Sequence, residues 1–102
     1  MFNTISILVP VYNEKKTIIK CLDRIISSDT MGLEKEIIVS DNCSTDGTVE
    51  LLKKYSHPKV KCYFKEKNQG KGANIKNALS NANGDLILFQ DSDLEYSPEN
   101  YP

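Results

Sequence analysis

The chain has 102 residues, a length that supports one hydrophobic core and leaves no room for a second domain. Apolar residues make up 39% and charged residues 26%, the mix of an ordered soluble domain. Thirteen basic side chains against 14 acidic ones give a net charge of −1, too small a field to draw in nucleic acid or an anionic membrane, so no nucleic-acid partner is expected. The lysines between Lys53 and Lys76 read as solvated helix and loop surface, with Lys71 set apart by its glycine neighbours.

Cys21, Cys43 and Cys62 are odd in number and far apart, and His57 is the lone histidine, which argues against a zinc module or a disulfide scaffold. Unpaired thiols fit a reducing compartment, and the expected location is cytoplasmic. The apolar start from Ile5 to Val11 is interrupted by Pro10 and is too short for a signal sequence or a membrane span.

In chain order, the runs SILVPV, EIIVS, VKCYF and DLILFQ lack polar alternation and read as buried strands. Between the first two, Ile18, Ile19, Leu22, Ile25 and Ile26 recur at helical spacing, with Asn13 as the expected N-cap and Glu14 in the first turn. A second helix is expected from Ser44-Thr45-Asp46 through Val49, Leu52 and Tyr55, ended by His57-Pro58. A third carries Ile75, Ala78, Leu79 and Ala82 on one face, with Gly84 as its left-handed cap. This β-α-β-α-β-α-β order predicts an α/β fold, a Rossmann-like three-layer α/β/α domain around a parallel sheet. Ligands of such sheets bind beyond the carboxyl ends of the strands, at the point where winding reverses.

The segments at those ends carry the chemistry. After strand one, Tyr12 offers a flat face for a nucleobase; after strand two, Asp41 and Asn42 offer acceptors and an amide donor for its polar edge. Ordinary packing for Tyr12, and turn and cap chemistry for Asp41 to Asp46, would account for the same residues. After strand four, Asp91, Asp93 and Glu95 stand at alternate positions, which in extended chain share one face with neighbours roughly 6 to 7 Å apart. Such a cluster suits a hard divalent cation, the alternative being an acidic surface turn. Asn68-Gln69-Gly70-Lys71-Gly72-Ala73 opens onto a helix N-terminus, where free amides and Lys71 favour an anion, although a plain helix start reads the same way.

Taken together, SILVPVYNE, EIIVSDNCSTDGT, NQGKGAN and FQDSDLEYSP resemble the amino-terminal half of glycosyltransferase family 2, inverting enzymes of the GT-A fold, and DSDLEYSP is similar to the metal-binding segment of polyprenyl-phosphate mannosyl- and glucosyltransferases. The resemblance implies that Pro10, Tyr12 and Glu14 line a pocket for base and ribose, and that Asp41 and Asn42 meet the base edge. It further implies that Lys71 lies near the diphosphate or sugar, that Asp91 faces the ribose and the metal's shell, and that Asp93, with Glu95 and Asp91, holds Mn2+ or Mg2+. The implied donor is a nucleoside-diphosphate sugar; the acceptor is open, with lipid-linked ones among the family's own. Family members usually carry Asp-Asp-Gly-Ser where this chain has Asp41-Asn42-Cys43-Ser44, and an amide at Asn42 tilts the base towards uracil over guanine. Residues 1–102 thus correspond to the nucleotide-sugar-binding part, with the acceptor part and general base expected beyond Pro102 and no catalytic residue assigned within the chain. A full-length parent would act at the cytoplasmic face of a membrane. No feature sets an oligomeric state.

Other classes fit less well. A phosphoacceptor module needs an acidic pair where Pro10 and Tyr12 stand, and a nicotinamide-dependent oxidoreductase needs a glycine fingerprint after strand one. A nucleotide-sugar binding module without catalysis remains the alternative.

Overall fold

Apolar strands flanked by amphipathic helices bury both faces only as a parallel sheet covered on each side. The computed structural model, which describes residues 3–68 and 70–90, has this form. The elements are β1 (Thr4–Val11), α1 (Ile18–Ser27), β2 (Glu34–Asp41), α2 (Thr48–Lys54), β3 (Val60–Phe64), α3 (Lys71–Ser80) and β4 (Leu86–Phe89). All strand pairs are parallel, in the order β3-β2-β1-β4. The chain therefore winds outward from β1 through β3 and then returns to the other side of β1, where the direction reverses.

That reversal, with right-handed crossovers, puts α1 and α2 on one face and α3 on the other. Ile7, Val9 and Val11 of β1 alternate onto the α1 and α2 face and pack with Ile37, Val39, Ile18, Cys21, Leu22, Ile25 and Leu52. The α3 face is thinner, with Leu8, Ile38 and Ala78 as its buried members. Each large aliphatic side chain fully buried in the thicker layer contributes roughly 1.5 to 3 kcal/mol. Lys35 closes the far end of α1: its buried Nζ donates to the carbonyls of Ile25, Ile26 and Ser28 at 2.8, 2.8 and 2.6 Å, where unpaired acceptors and the helix dipole favour a cation.

Several expectations require correction. β3 and β4 are not buried runs: they are the outer strands among the described residues, and Ile87, Leu88 and Phe89 are all exposed. Helix α1 starts later than expected because residues 14–17 form a preceding turn in which the Glu14 carbonyl accepts the Thr17 and Ile18 amides. Asn13, instead of capping, adopts a left-handed φ of 51°. Helix α2 starts at Thr48, after Gly47 with φ 99°, and Tyr55 ends it as the C-cap. Leu79 is half-exposed, since α3 does not reach over β4.

Gly84 is no left-handed cap; Asn81 ends α3. Its role is spatial, because a Cβ there would stand 2.6 Å from the backbone nitrogen and Oγ of Ser6. The backbone crosses the foot of β1 at that point, and the Gly84 amide donates to Ser6 Oγ at 2.7 Å. Glu36 completes this corner: it accepts from Ser6 Oγ at 2.7 Å and from the Asn83 amide at 3.0 Å, and pairs with Lys61 at 3.0 Å. Burial opposes its charge, but the bonds from Ser6, Asn83 and Lys61 outweigh it and bring its pKa down to about 2.

Candidate functional site

The carboxyl ends of β1 and β2 meet in register, with Pro10 opposite Ser40 and Val11 opposite Asp41, and the Asn42 amide extends the ladder to the Val11 carbonyl at 2.9 Å. On the other side, β4 bonds to β1 as far as the Gln90 amide and Leu8 carbonyl, 2.9 Å apart. The next bond of a parallel ladder would need an N–H from Pro10, which has none, so one rung is missing beside the point where the winding reverses. The sequence-predicted ligand edge is thus the edge at which the structure gathers Pro10, Tyr12, Glu14, Asp41 and Asn42.

Tyr12 presents its ring at 45% exposure, whereas Asp41 is fully buried and Asn42 nearly so. The Asp41 side chain accepts from the Ser44 amide at 3.0 Å and from Ser44 Oγ. Asp41 also helps push the nearby Cys62 thiol up to about 11, after burial as the larger cause, which leaves that cysteine unreactive.

The loops after β1 and β2 are laced together. Asn13 donates its amide to Ser44 Oγ at 2.9 Å and accepts from the Thr45 amide at 2.7 Å. The Glu14 amide donates to Thr48 Oγ1 at 3.1 Å, and the Lys15 amide to Asp46 at 3.2 Å. Asp46 in turn accepts from the amide and hydroxyl of Thr48. Although burial opposes its charge, these bonds hold the Asp46 carboxyl below its ordinary range. Cys43 sits at the tip with φ 63°, a left-handed conformation that an L side chain disfavours. Its thiol donates to the Glu66 carbonyl at 3.4 Å.

A third loop joins through Asn68, whose Oδ1 accepts both Asn42 Nδ2 at 3.0 Å and the Gly70 amide at 2.9 Å. Sequence reasoning does not single out Ser44, Thr48 and Asn68 for these roles; Asn68 stands inside the NQGKGAN motif, Thr48 inside EIIVSDNCSTDGT, and Ser44 reads as a cap residue. The side chain of Lys71 and the whole of Asp91, Asp93 and Glu95 lie outside the described residues. Among the described residues, no group of three or more His, Cys, Asp or Glu gathers to hold a metal. None of the described helices is long and apolar enough to cross a membrane.

This arrangement of edge, loops and motifs has counterparts. A family model described as "Glycosyl transferase family 2" matches residues 6–102. The chain belongs to glycosyl transferase family 2. Within that family it is 38% identical over 90 residues to the poly(ribitol-phosphate) beta-N-acetylglucosaminyltransferase TarS of Staphylococcus aureus, covering 86% of this chain and 16% of TarS. It is 31% identical over 102 residues to the undecaprenyl-phosphate 4-deoxy-4-formamido-L-arabinose transferase of Edwardsiella ictaluri, covering 96% of this chain and 31% of that relative.

The fold is that of GT-A glycosyltransferases. The crystal structure of S. aureus TarS 1-349 in complex with UDP-GlcNAc superimposes with a TM-score of 0.78 at 37% identity, covering 88% of this chain and 26% of that one. The mannosyltransferase PcManGT of Pyrobaculum calidifontis, in complex with GDP-Man and Mn2+, superimposes with a TM-score of 0.81 at 29% identity, covering 91% and 28%. The chain spans less than a third of the length of these proteins.

Proposed function

We propose that this chain is the donor-binding part of a metal-dependent inverting glycosyltransferase that takes its sugar from a nucleoside-diphosphate sugar. The observation that carries the reading is the junction of exposed Tyr12 with buried Asp41 and Asn42 at the carboxyl edge of the sheet, in a chain whose structural neighbours bind UDP-GlcNAc and GDP-Man. A flat ring beside fixed polar groups suits a base: Tyr12 stacks, while Asp41 and Asn42 take its edge. Pro10 and Glu14 line the base and ribose, and Lys71 meets the diphosphate or sugar.

Asp91, Asp93 and Glu95 supply hard carboxylate oxygens, a donor set that suits Mn2+ or Mg2+. The complex of PcManGT with GDP-Man and Mn2+ supports the assignment. When bound, the cation would act as a Lewis acid on the departing diphosphate. Uridine is favoured over guanosine: the Asn42 amide suits uracil's mixed edge better than guanine's adjacent donors, and the UDP-GlcNAc complex of TarS supports that choice.

Inversion also needs a general base within reach of the acceptor hydroxyl, and the polar groups described here converge on the donor. That base is assigned to the remainder of the longer protein, as is the acceptor site, for which a lipid phosphate is one candidate, as the name of the Edwardsiella relative suggests. The free thiols of Cys43 and Cys62 support action at a cytoplasmic face.

The test is calorimetric titration of the chain with UDP and GDP, with and without Mn2+. UDP should bind in a Mn2+-dependent way and more tightly than GDP, and Asp93→Ala should abolish the metal dependence. Equal UDP affinity in Asp93→Ala would overturn the metal assignment, and tighter binding of GDP would overturn the base assignment.

A further inference from the structure

Helix α3 is held against its face of the sheet by little apolar contact. Ala78 is its one fully buried apolar residue, set against Leu8 and Ile38, while Leu79 points out at 47% exposure. Contact between such small or sparse groups is non-directional and fixes the position of a helix poorly. What lies under α3 instead is a directional polar chain. Asn77 Nδ2 donates to Ser40 Oγ at 2.9 Å, Ser40 Oγ donates to Asn74 Oδ1 at 2.6 Å, and Asn74 Nδ2 reaches the Val11 carbonyl at 3.5 Å. Ser40 and Asn74 are at most 2% exposed, so the two bonds of Asn74 are made away from competing water, while the Asn77 bond is part-buried.

The two sheet residues in this chain are placed tellingly. Val11 immediately precedes Tyr12, and Ser40 immediately precedes Asp41. Asn74 sits in the first turn of α3, its amide bonded to the Gly70 carbonyl at 3.2 Å, three residues after Lys71. A single buried side chain thus links the N-terminal turn of α3 to the last residues before both base-facing segments.

We propose that Asn74 is a positioning residue that sets the distance between the base end of the nucleotide site, at Tyr12 and Asp41, and its diphosphate end, at the start of α3. The inference rests on the donor-site reading and adds to it a residue that touches neither base nor phosphate. It predicts a selective loss. With Asn74 truncated, α3 shifts on its apolar contacts, the base pocket stays closed by its own loop bonds, and the phosphates lose their register.

The experiment compares uridine with UDP plus Mn2+ in the unmodified chain, Asn74→Ala, and the milder Asn77→Ala, which leaves the bonds of Asn74 itself in place. Amide hydrogen exchange across α3 is followed in each. Asn74→Ala should weaken UDP roughly three- to tenfold, the worth of one or two buried hydrogen bonds, with uridine affinity changed less than twofold. The amides of the first α3 turn should exchange faster, and Asn77→Ala should show the same pattern at smaller amplitude. Equal loss of uridine and UDP would reduce Asn74 to a stabilising residue and overturn the proposal, as would unchanged exchange in the first turn of α3. Should Asn74→Ala fail to fold, Ser40→Ala, which removes the hydroxyl bonded to Asn74 Oδ1, carries the same comparison, and an unchanged uridine-to-UDP ratio there overturns it. Failure of the unmodified chain to bind UDP while the α3 exchange effect persists would instead refute the donor site, and with it the role but not the coupling.

Discussion

Replacing Gly84 with alanine tests how closely the chain approaches β1 at the foot of the sheet. A Cβ at this position would stand 2.6 Å from both the amide nitrogen and Oγ of Ser6, and 2.9 Å from the Ile5 carbonyl carbon. Those contacts are about 1 Å inside the optimal separation of non-bonded heavy atoms. Two of the three atoms are backbone, so no rotamer change relieves them, and β1 or the 83–85 segment must move. Overpacking of this kind costs about 1 to 3 kcal/mol, and displacement of the Gly84 amide from Ser6 Oγ adds about 1 kcal/mol. The expected loss of about 2 to 4 kcal/mol corresponds to a fall in Tm on the order of 10 to 30 °C for a domain of this size. Gly72→Ala is the matched control: its Cβ meets nothing within 4 Å, and α3 should gain up to about 1 kcal/mol from the better helix former. Urea and thermal unfolding followed by circular dichroism read both. A Gly84→Ala variant within about 0.5 kcal/mol of the unmodified chain would refute the close approach.

With its pKa depressed from 4.5 to about 2, Glu36 contributes stability that is fully present above pH 4.5 and is lost as pH falls through 2. Glu36→Gln should therefore flatten the acid limb of the stability profile between those values, and an unchanged limb would show that Glu36 is not the group responsible. Cys43→Gly should leave Tm unchanged or raise it by a few degrees, since relief of a left-handed side chain, about 1 to 2 kcal/mol, exceeds the added entropy of the unfolded chain at about 0.4 to 1 kcal/mol. Cys43→Val should lower Tm, and a Gly variant less stable than the Val variant would contradict the assigned backbone conformation.

Much of the architecture was legible because apolar runs and helical spacing encode it directly: VKCYF is β3 residue for residue, and Ile18, Leu22 and Ile25 are the buried stripe of α1. Burial of whole strands was less legible, because an apolar run does not say whether a neighbour covers it; DLILFQ reads as interior and lies at the edge among the described residues. Caps failed for a related reason. The side chains of Asn13, Ser44 and Asp46, all good cap formers, bond to backbone amides of a neighbouring loop about thirty residues away, besides the local bonds of Ser44 to Asp41 and of Asp46 to Thr48, and local propensity cannot see that distant partner. Of the candidate site, the strand-end residues Pro10, Tyr12, Asp41 and Asn42 came from topology. Asn68 and Asn74 act through bonds across 26 and 34 residues, which no spacing rule exposes.

The central place of β1 also orders the acquisition of structure in time. β1 pairs with β2 across about thirty residues, but its other edge waits for β4, whose approach is clamped by Asp85 accepting the Thr4 amide across 81 residues. Closing the longer loop costs more chain entropy and returns few apolar contacts among the described residues, where Ile87, Leu88 and Phe89 stay exposed. A chain emerging from the ribosome can thus assemble β1, α1, β2, α2 and β3 first, with one edge of its first strand held vacant until the fourth arrives. Of the described strand pairs, that between β1 and β4 closes the longest loop, and it is beside this seam that Pro10 and Tyr12 stand.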